Sequence, residues 1–226
     1  MTRQAYILAG PTASGKSALA AVLAREMGAW ILSADSMNVY RGMDVGTAKP
    51  SAEERAEFHM GGVDVVTPAE EFSSGAWLRA AAEWAGTVPE KTPIVIVGGT
   101  GLYFSALLRG LDRKWEKPPP EYPVIRIDRA VVRARIAARL DDMFMRGLEE
   151  EKRRLHEQYP VWSKTAALAI GYREGDDKEK ILVRTCQLAK RQDTWFRHQA
   201  TPLYVDPTVD AVRACWQAHG PWKVSF

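Results

Sequence analysis

The sequence predicts an α/β fold, a parallel sheet flanked by helices with a helical C-terminal part. Three observations predict it. Gly10-Pro11-Thr12-Ala13-Ser14-Gly15-Lys16-Ser17 fits G-x-x-x-x-G-K-[ST] between an apolar strand and a helix, the P-loop arrangement. Strand-type and helix-type segments alternate through the first half of the chain, as they do in parallel α/β sheets. Pro93-Ile94-Val95-Ile96-Val97 is apolar without alternation, the pattern of a strand buried on both faces. Together they make the predicted sheet P-loop NTPase-like.

Tyr6 to Ala9 is the first short strand. Ser17 to Met27 follows as a helix, with Leu19, Val22, Leu23 and Met27 at helical spacing and Gly28 as its stop. Trp30 to Ala34 is a second strand, ending at Asp35. Asn38 to Pro50, rich in glycine and polar residues, reads as a long functional loop. Trp77 to Ala85 is helical, and the strand ending at Val97 leads through Gly98-Gly99-Thr100-Gly101 into a helix over Leu102 to Leu108. Val124 to Ile127 is a further strand. Helices are predicted over Ala130 to Tyr159, broken near Gly147, and over Lys178 to Arg197. Pro202 to Val205 is a last strand and Val209 to His219 a last helix.

The 226 residues suit a single domain. Its core is expected over 1–111, a Pro-rich connector over 112–123 (Trp115 and Pro118-Pro119-Pro120), and a basic helical part over 124–226 that completes the core. No apolar run reaches the ~18 residues of a membrane span, and no signal peptide is read before the first strand. Cys186 and Cys215 offer neither a disulfide framework nor metal-ligand spacing, so a reducing cytoplasm is the expected compartment. A monomer is the expected state. Net charge is only +3, but arginines cluster after Leu111 at 126, 129, 133, 135 and 139, then at 184, 191 and 197. Such clusters suit a polyanion, and they also occur as plain solvated surface.

Ligands of parallel sheets sit beyond the carboxyl ends of the strands. Gly10, Asp35 and Gly98 all lie at such ends, so three distant stretches converge on one crevice. Loop N–H groups and the following helix N-terminus cradle phosphate oxygens, Lys16 adds a point charge, and the Ser17 hydroxyl is a natural Mg²⁺ ligand. In P-loop ATPases a carboxylate commonly follows an apolar strand to help hold the metal. Here the best apolar strand ends in glycine, which weakens an ATPase reading and leaves Asp35 free for acid–base work or for capping a turn. Gly98 to Gly101 lets a backbone approach a ligand, or is merely a tight connection. His59 has no metal partners at recognisable spacing and reads as structural. Trp195, among basic residues, could stack on a base.

The stretch Asp35-Ser36-Met37-Asn38-Val39-Tyr40-Arg41-Gly42-Met43-Asp44-Val45-Gly46-Thr47-Ala48-Lys49-Pro50 resembles the tRNA dimethylallyltransferase (tRNA isopentenyltransferase) family, with Val45 for the family's Ile. The P-loop, Val97 to Tyr103, Arg135-Ile136 with Arg139, Ile170 to Arg173, and Gln187 to Gln192 with Trp195 agree in order. The resemblance implies transfer of a dimethylallyl group from its diphosphate to N6 of adenosine 37 in the tRNA anticodon stem-loop, with Mg²⁺. It implies Asp35, Thr12 and Lys16 as catalytic residues, with Asp35 the general base. Gly10, Pro11, Thr12, Ala13, Ser14, Gly15, Lys16 and Ser17 would hold the diphosphate, Ser17 the metal, and Arg191 would be a further clamp. Asp35, Ser36, Met37, Asn38 and Thr100 would meet the tRNA. The family's helical insertion after the block ending at Leu111 is missing, and Cys186 stands where the family has Arg. Other readings are an adenylate isopentenyltransferase acting on free AMP, ADP or ATP, a small-molecule kinase, and an inactive RNA-binding module.

Overall fold

The computed structural model describes residues 2–111 and 120–226, so Trp115 and most of the expected connector lie outside the described residues. Among the described residues, strands β1 (Thr2–Ala9), β2 (Trp30–Ala34), β3 (Ile94–Gly98), β4 (Glu121–Ile125), β5 (Thr201–Val205) and β6 (Trp222–Ser225) form one sheet. Five run parallel in the order β2-β3-β1-β4-β5, and β6 pairs antiparallel with the first half of β1, Thr2 opposite Ser225. The helices are α1 (Lys16–Met27), α2 (Ala52–Glu57), α3 (Ser74–Thr87), α4 (Gly101–Arg109), α5 (Arg129–Met145), α6 (Leu148–Gln158), α7 (Lys178–Gln199) and α8 (Val209–His219).

Two cores follow from the strand sequences. Successive side chains point to opposite faces, so Ile7, Ile94 and Ile96 enter one core while Leu8, Val95 and Val97 enter the other. The first is covered by Trp77 and Ala81 of α3, Tyr103, Phe104 and Leu107 of α4, and Phe196 of α7. The second is covered by Ala20, Leu23 and Ala24 of α1 with Val212 and Trp216 of α8. The indoles of Trp77 and Trp216 find partners on the sheet: Trp77 Nε1 donates to Ser33 O at 3.1 Å and Trp216 Nε1 to Ile7 O at 2.8 Å.

Several expected boundaries shift. β1 starts at Thr2, ahead of Tyr6, because β6 supplies it with an antiparallel partner that the sequence reading did not include. β4 spans Glu121–Ile125, so the strand begins inside the expected connector and ends before Ile127. Pro123 is tolerated there because the register to β1 consists only of Ala9 opposite Val124. The long helix expected after Ala130 breaks where predicted, at Gly147, which caps α6 in the left-handed region with φ 88°. α2 was not expected. Its capping box, Ser51 with Glu54, nucleates one and a half turns whose residues are not buried.

Candidate active site

The P-loop is pinned from three directions. Ala13 and Gly15 adopt φ 60° and 90°, turning the chain sharply before α1. The Thr12 N–H donates to Gln192 Oε1 at 2.8 Å, and Gln192 Nε2 donates to Gly99 O at 3.0 Å, so α7 bridges the loop to the turn after β3. Arg139 Nη2 donates to Thr12 Oγ1 at 2.8 Å, and Arg135 Nη1 to Ser14 O at 3.1 Å. Lys16 Nζ donates to Pro11 O at 3.2 Å. Desolvation lowers the Lys16 ammonium to about 8, opposed by the Asp35 carboxylate and assisted by the Arg139 cation. Arg139 is likewise lowered by burial, against the pull of Asp35.

Asp35 follows β2 directly. Its Oδ1 accepts the Met37 N–H at 2.9 Å, a local turn that fixes the carboxylate. Thr100 N–H donates to Ala34 O at 3.1 Å, and its Oγ1 accepts the Ser36 N–H at 2.9 Å, which ties this turn to the end of β3. The glycines around Thr100 leave no room for a side chain unless their neighbours shift. A Cβ on Gly98 would lie 2.1 Å from Ala34 O, one on Gly99 2.5 Å from Gln192 Nε2, and one on Gly101 2.1 Å from the Trp195 ring.

Two cavities meet at these residues. The larger, about 460 Å³, runs along one face of α7 through Ile181, Thr185, Leu188, Gln192 and Trp195, roughly 20 Å at 1.5 Å per residue. Its buried end is apolar, with Leu140, Met143 and Leu148, while Leu102 and Leu168 stand exposed at its edge. The smaller, about 250 Å³, lies on the other side of the loop between Lys16, Ser17, Ser33, Asn38, Phe58, Met60 and Val97. Thr12, Asp35, Thr47 and Arg139 line both. A third, open recess along Ala13, Ser14, Gly15, Lys16 and Ser17 reaches Arg135.

The residues singled out from sequence therefore divide. Thr12 and Asp35 sit at the junction; Lys16 and Ser17 face the small cavity; Ser36, Met37 and Thr100 face the large one. Gly10, Pro11 and Ser14 are buried in the loop itself. Asn38, expected beside Ser36 and Met37, lines the small cavity instead, because the turn at Met37 reverses the chain inward. Arg191 is exposed on the wall of the large cavity, whereas the arginines bonded to the loop are Arg139 and Arg135. Trp195 is partly buried, edge-on to Phe196, with one side to the large cavity. His59 stacks on Trp30 with ring centres 4.3 Å apart, in agreement with its structural reading.

Two supports were missed in the sequence. Glu151, 5% exposed, accepts the N–H groups of Asp44, Val45 and Gly46 at 2.8–3.0 Å and the Tyr172 hydroxyl at 2.6 Å, so it joins the loop carrying Thr47 to the opposite cavity wall. Its place in the run Glu149-Glu150-Glu151 resembles a solvated helix start, which concealed it. Lys49, buried, donates to Tyr40 O and to the carboxylates of Asp44 and Asp64 at 2.6–2.7 Å. Among the described residues no group of three or more His, Cys, Asp or Glu could hold a metal, and no helix is long and apolar enough to cross a membrane.

Comparison with known proteins gives a consistent picture. The family model described as IPP transferase matches residues 38–126 and 112–199, and that described as isopentenyl transferase matches residues 3–59. A tRNA dimethylallyltransferase of Stenotrophomonas maltophilia is 31% identical over 92% of this chain and 94% of its own. That alignment extends over 299 positions, more than this chain's 226 residues, so the relative carries residues that this chain skips. A Phenylobacterium zucineum enzyme of the same name is 47% identical over 63% of this chain and 43% of its own. The crystal structure of the tRNA isopentenylpyrophosphate transferase of Bacillus halodurans superposes with a TM-score of 0.76 at 25% identity, covering 96% of this chain and 94% of that one. A Staphylococcus epidermidis structure, a tRNA delta(2)-isopentenylpyrophosphate transferase, gives 0.80 at 24% identity over 95% and 98%, a likeness of fold.

Proposed function

The chain belongs to the IPP transferase family of tRNA dimethylallyltransferases, and from that premise we propose that it moves a dimethylallyl group from dimethylallyl diphosphate to N6 of adenosine 37 in a tRNA anticodon stem-loop. The observation that carries this reading is the junction of two cavities at Thr12, Asp35, Thr47 and Arg139. A donor held on the P-loop side and an acceptor base entering from the α7 side would meet at Asp35. The base must leave its stack to do so, as nucleobases acted on by enzymes generally must.

The N6 amine attacks C1 of the allylic group as the C1–O bond to the diphosphate breaks, and Asp35 takes the proton that N6 gives up. Loop N–H groups, Lys16 and Arg139 hold the oxygens on which charge accumulates, and such preorganised donors are where most acceleration arises. Arg139 also fixes the Thr12 hydroxyl, so both act on the same leaving group. The oxygen donors of the small cavity (Ser17, Ser33, Asp35, Glu54), with no metal-holding group of three or more His, Cys, Asp or Glu among the described residues, suit Mg²⁺, which keeps several waters and takes few protein ligands. Ser17 would hold it, and bound Mg²⁺ supplies neutralisation of the departing diphosphate. Thr100 keeps the Ser36–Met37 turn against the acceptor side. Arg191 and the exposed Arg173 flank the large cavity, where RNA phosphates would pass. We take the protein to act as a cytoplasmic monomer.

Labelled dimethylallyl diphosphate with Mg²⁺, offered a stem-loop carrying adenosines 36–38 beside free AMP, tests this. Label is expected on the stem-loop. Label on AMP would make the chain an adenylate isopentenyltransferase, and phosphate transfer from ATP a kinase.

A further inference from the structure

We propose that Gln192 is a positioning residue that holds the phosphate loop and the acceptor-side turn at one fixed separation, so that binding at either site strengthens binding at the other. Its one amide bonds to two walls of the site. Oε1 accepts the Thr12 N–H at 2.8 Å, and Nε2 donates to Gly99 O at 3.0 Å. Both partners are main-chain groups, the first only a donor and the second only an acceptor, so a single orientation of the amide satisfies both. The fit is close: a Cβ on Gly99 would lie 2.5 Å from Nε2.

The link continues on both sides. Thr12 is held a second time through its hydroxyl, which accepts from Arg139 Nη2 at 2.8 Å. Gly99 leads into Thr100, whose N–H donates to Ala34 O at 3.1 Å and whose Oγ1 accepts the Ser36 N–H at 2.9 Å. Ala34 and Ser36 are the two neighbours of Asp35, so the chain of bonds runs from the P-loop through Gln192 to both sides of that carboxylate. The strands already join the two segments at their roots, where the Gly10 N–H donates to Gly98 O at 3.2 Å. Gln192 carries the join out to the tips, where the substrates would meet. It also lies on the α7 face that lines the large cavity, between Leu188 and Trp195, so a base entering there bears on the helix that grips the loop. Two sites biased through one shared element have a coupling free energy, and the coupling is reciprocal.

This inference rests on the donor and acceptor reading above, and the test separates the two. The affinity of dimethylallyl thiolodiphosphate, a slowly transferring analogue of the donor, is measured by calorimetry with Mg²⁺, alone and with saturating stem-loop. Single-turnover transfer from dimethylallyl diphosphate is measured beside it. In the wild type the stem-loop should tighten analogue binding about tenfold. Gln192→Met, of similar length and without the two hydrogen bonds, should abolish that gain and slow transfer about 100-fold, the cost of misplaced reactants, while the affinity for each substrate alone stays within about threefold of wild type. Gln192→Asn, which keeps the amide but is one carbon too short to reach both partners, should behave likewise and serves where the methionine variant fails to fold. Absence of the gain in the wild type, or wild-type transfer in both variants, overturns the proposal. So does a parallel fall in melting temperature and in both separate affinities, which would make Gln192 structural only. A wild type that binds neither analogue nor stem-loop overturns the donor and acceptor reading, and the proposal with it.

Discussion

Glu151→Gln isolates the carboxylate that holds the active-site loop while keeping its shape. Four hydrogen bonds converge on the two oxygens. Oε2 takes the Asp44 and Val45 N–H groups, and Oε1 takes the Gly46 N–H and the Tyr172 hydroxyl. An amide keeps only one oxygen. If its NH₂ replaces Oε1, the Gly46 N–H faces a donor; if it replaces Oε2, two N–H groups do. At least one buried N–H is left unpaired, about 1–3 kcal/mol, and the surviving bonds lose their charge assistance, for a total of roughly 3 kcal/mol. That is a large fraction of the ~5–15 kcal/mol by which domains of this kind are stable. Urea unfolding should show the midpoint fall, and hydrogen exchange should show Asp44, Val45 and Gly46 amides losing protection before the sheet does. Tyr172→Phe removes one bond and should cost about 1 kcal/mol. Wild-type urea midpoint and exchange in Glu151→Gln would refute the idea that the carboxylate fixes this wall.

Donor affinity should weaken above pH 8. Lys16 is lowered to about 8 in the folded protein, so above that pH the free site loses its cation and must take up a proton to bind diphosphate. The dissociation constant should rise toward tenfold per pH unit, and Lys16→Arg should flatten the profile; a flat wild-type profile contradicts it. The same shift gives a stability trend. Folded Lys16 loses its proton before unfolded Lys16 does, so its desolvation penalty is complete below pH 8 and relieved between about 8 and 10.5, visible as a Tm contribution absent from Lys16→Met. Arg139→Ala removes a charged donor from Thr12 and should weaken donor binding about 10–100-fold with stem-loop affinity unchanged, read by calorimetry. Gly101→Ala should displace Trp195 from the large cavity, quench or shift its fluorescence, and raise KM for RNA while donor affinity holds.

Much of this was legible in the sequence because local chemistry decided it. The P-loop needs its glycines and lysine at fixed spacing, the buried strand needs its apolar run, and Gly147 ends a helix that could not pass it. What escaped reading depends on tertiary contact. β6 forms because the first half of β1, ahead of its parallel pairing from Tyr6 on, is open to a partner, and no periodicity announces it. Gln192 and Arg139 act on Thr12 from 180 and 127 residues away. Asn38 was read with its sequence neighbours, but a single turn at Met37 sends it to the other side of the site. Arg191 lines the large cavity together with Thr12 of the loop, but the arginines bonded to the loop, Arg135 and Arg139, come from α5 and could not be picked out from the other arginines by sequence.

The central claim is that donor and acceptor meet from opposite cavities at Asp35. Single-turnover transfer by Asp35→Asn, with donor and stem-loop affinities measured separately, tests it most directly. Both affinities should stay within about threefold of wild type while transfer falls at least ~100-fold, the range for a lost general base. Transfer at the wild-type rate, or the collapse of either affinity, would contradict the account.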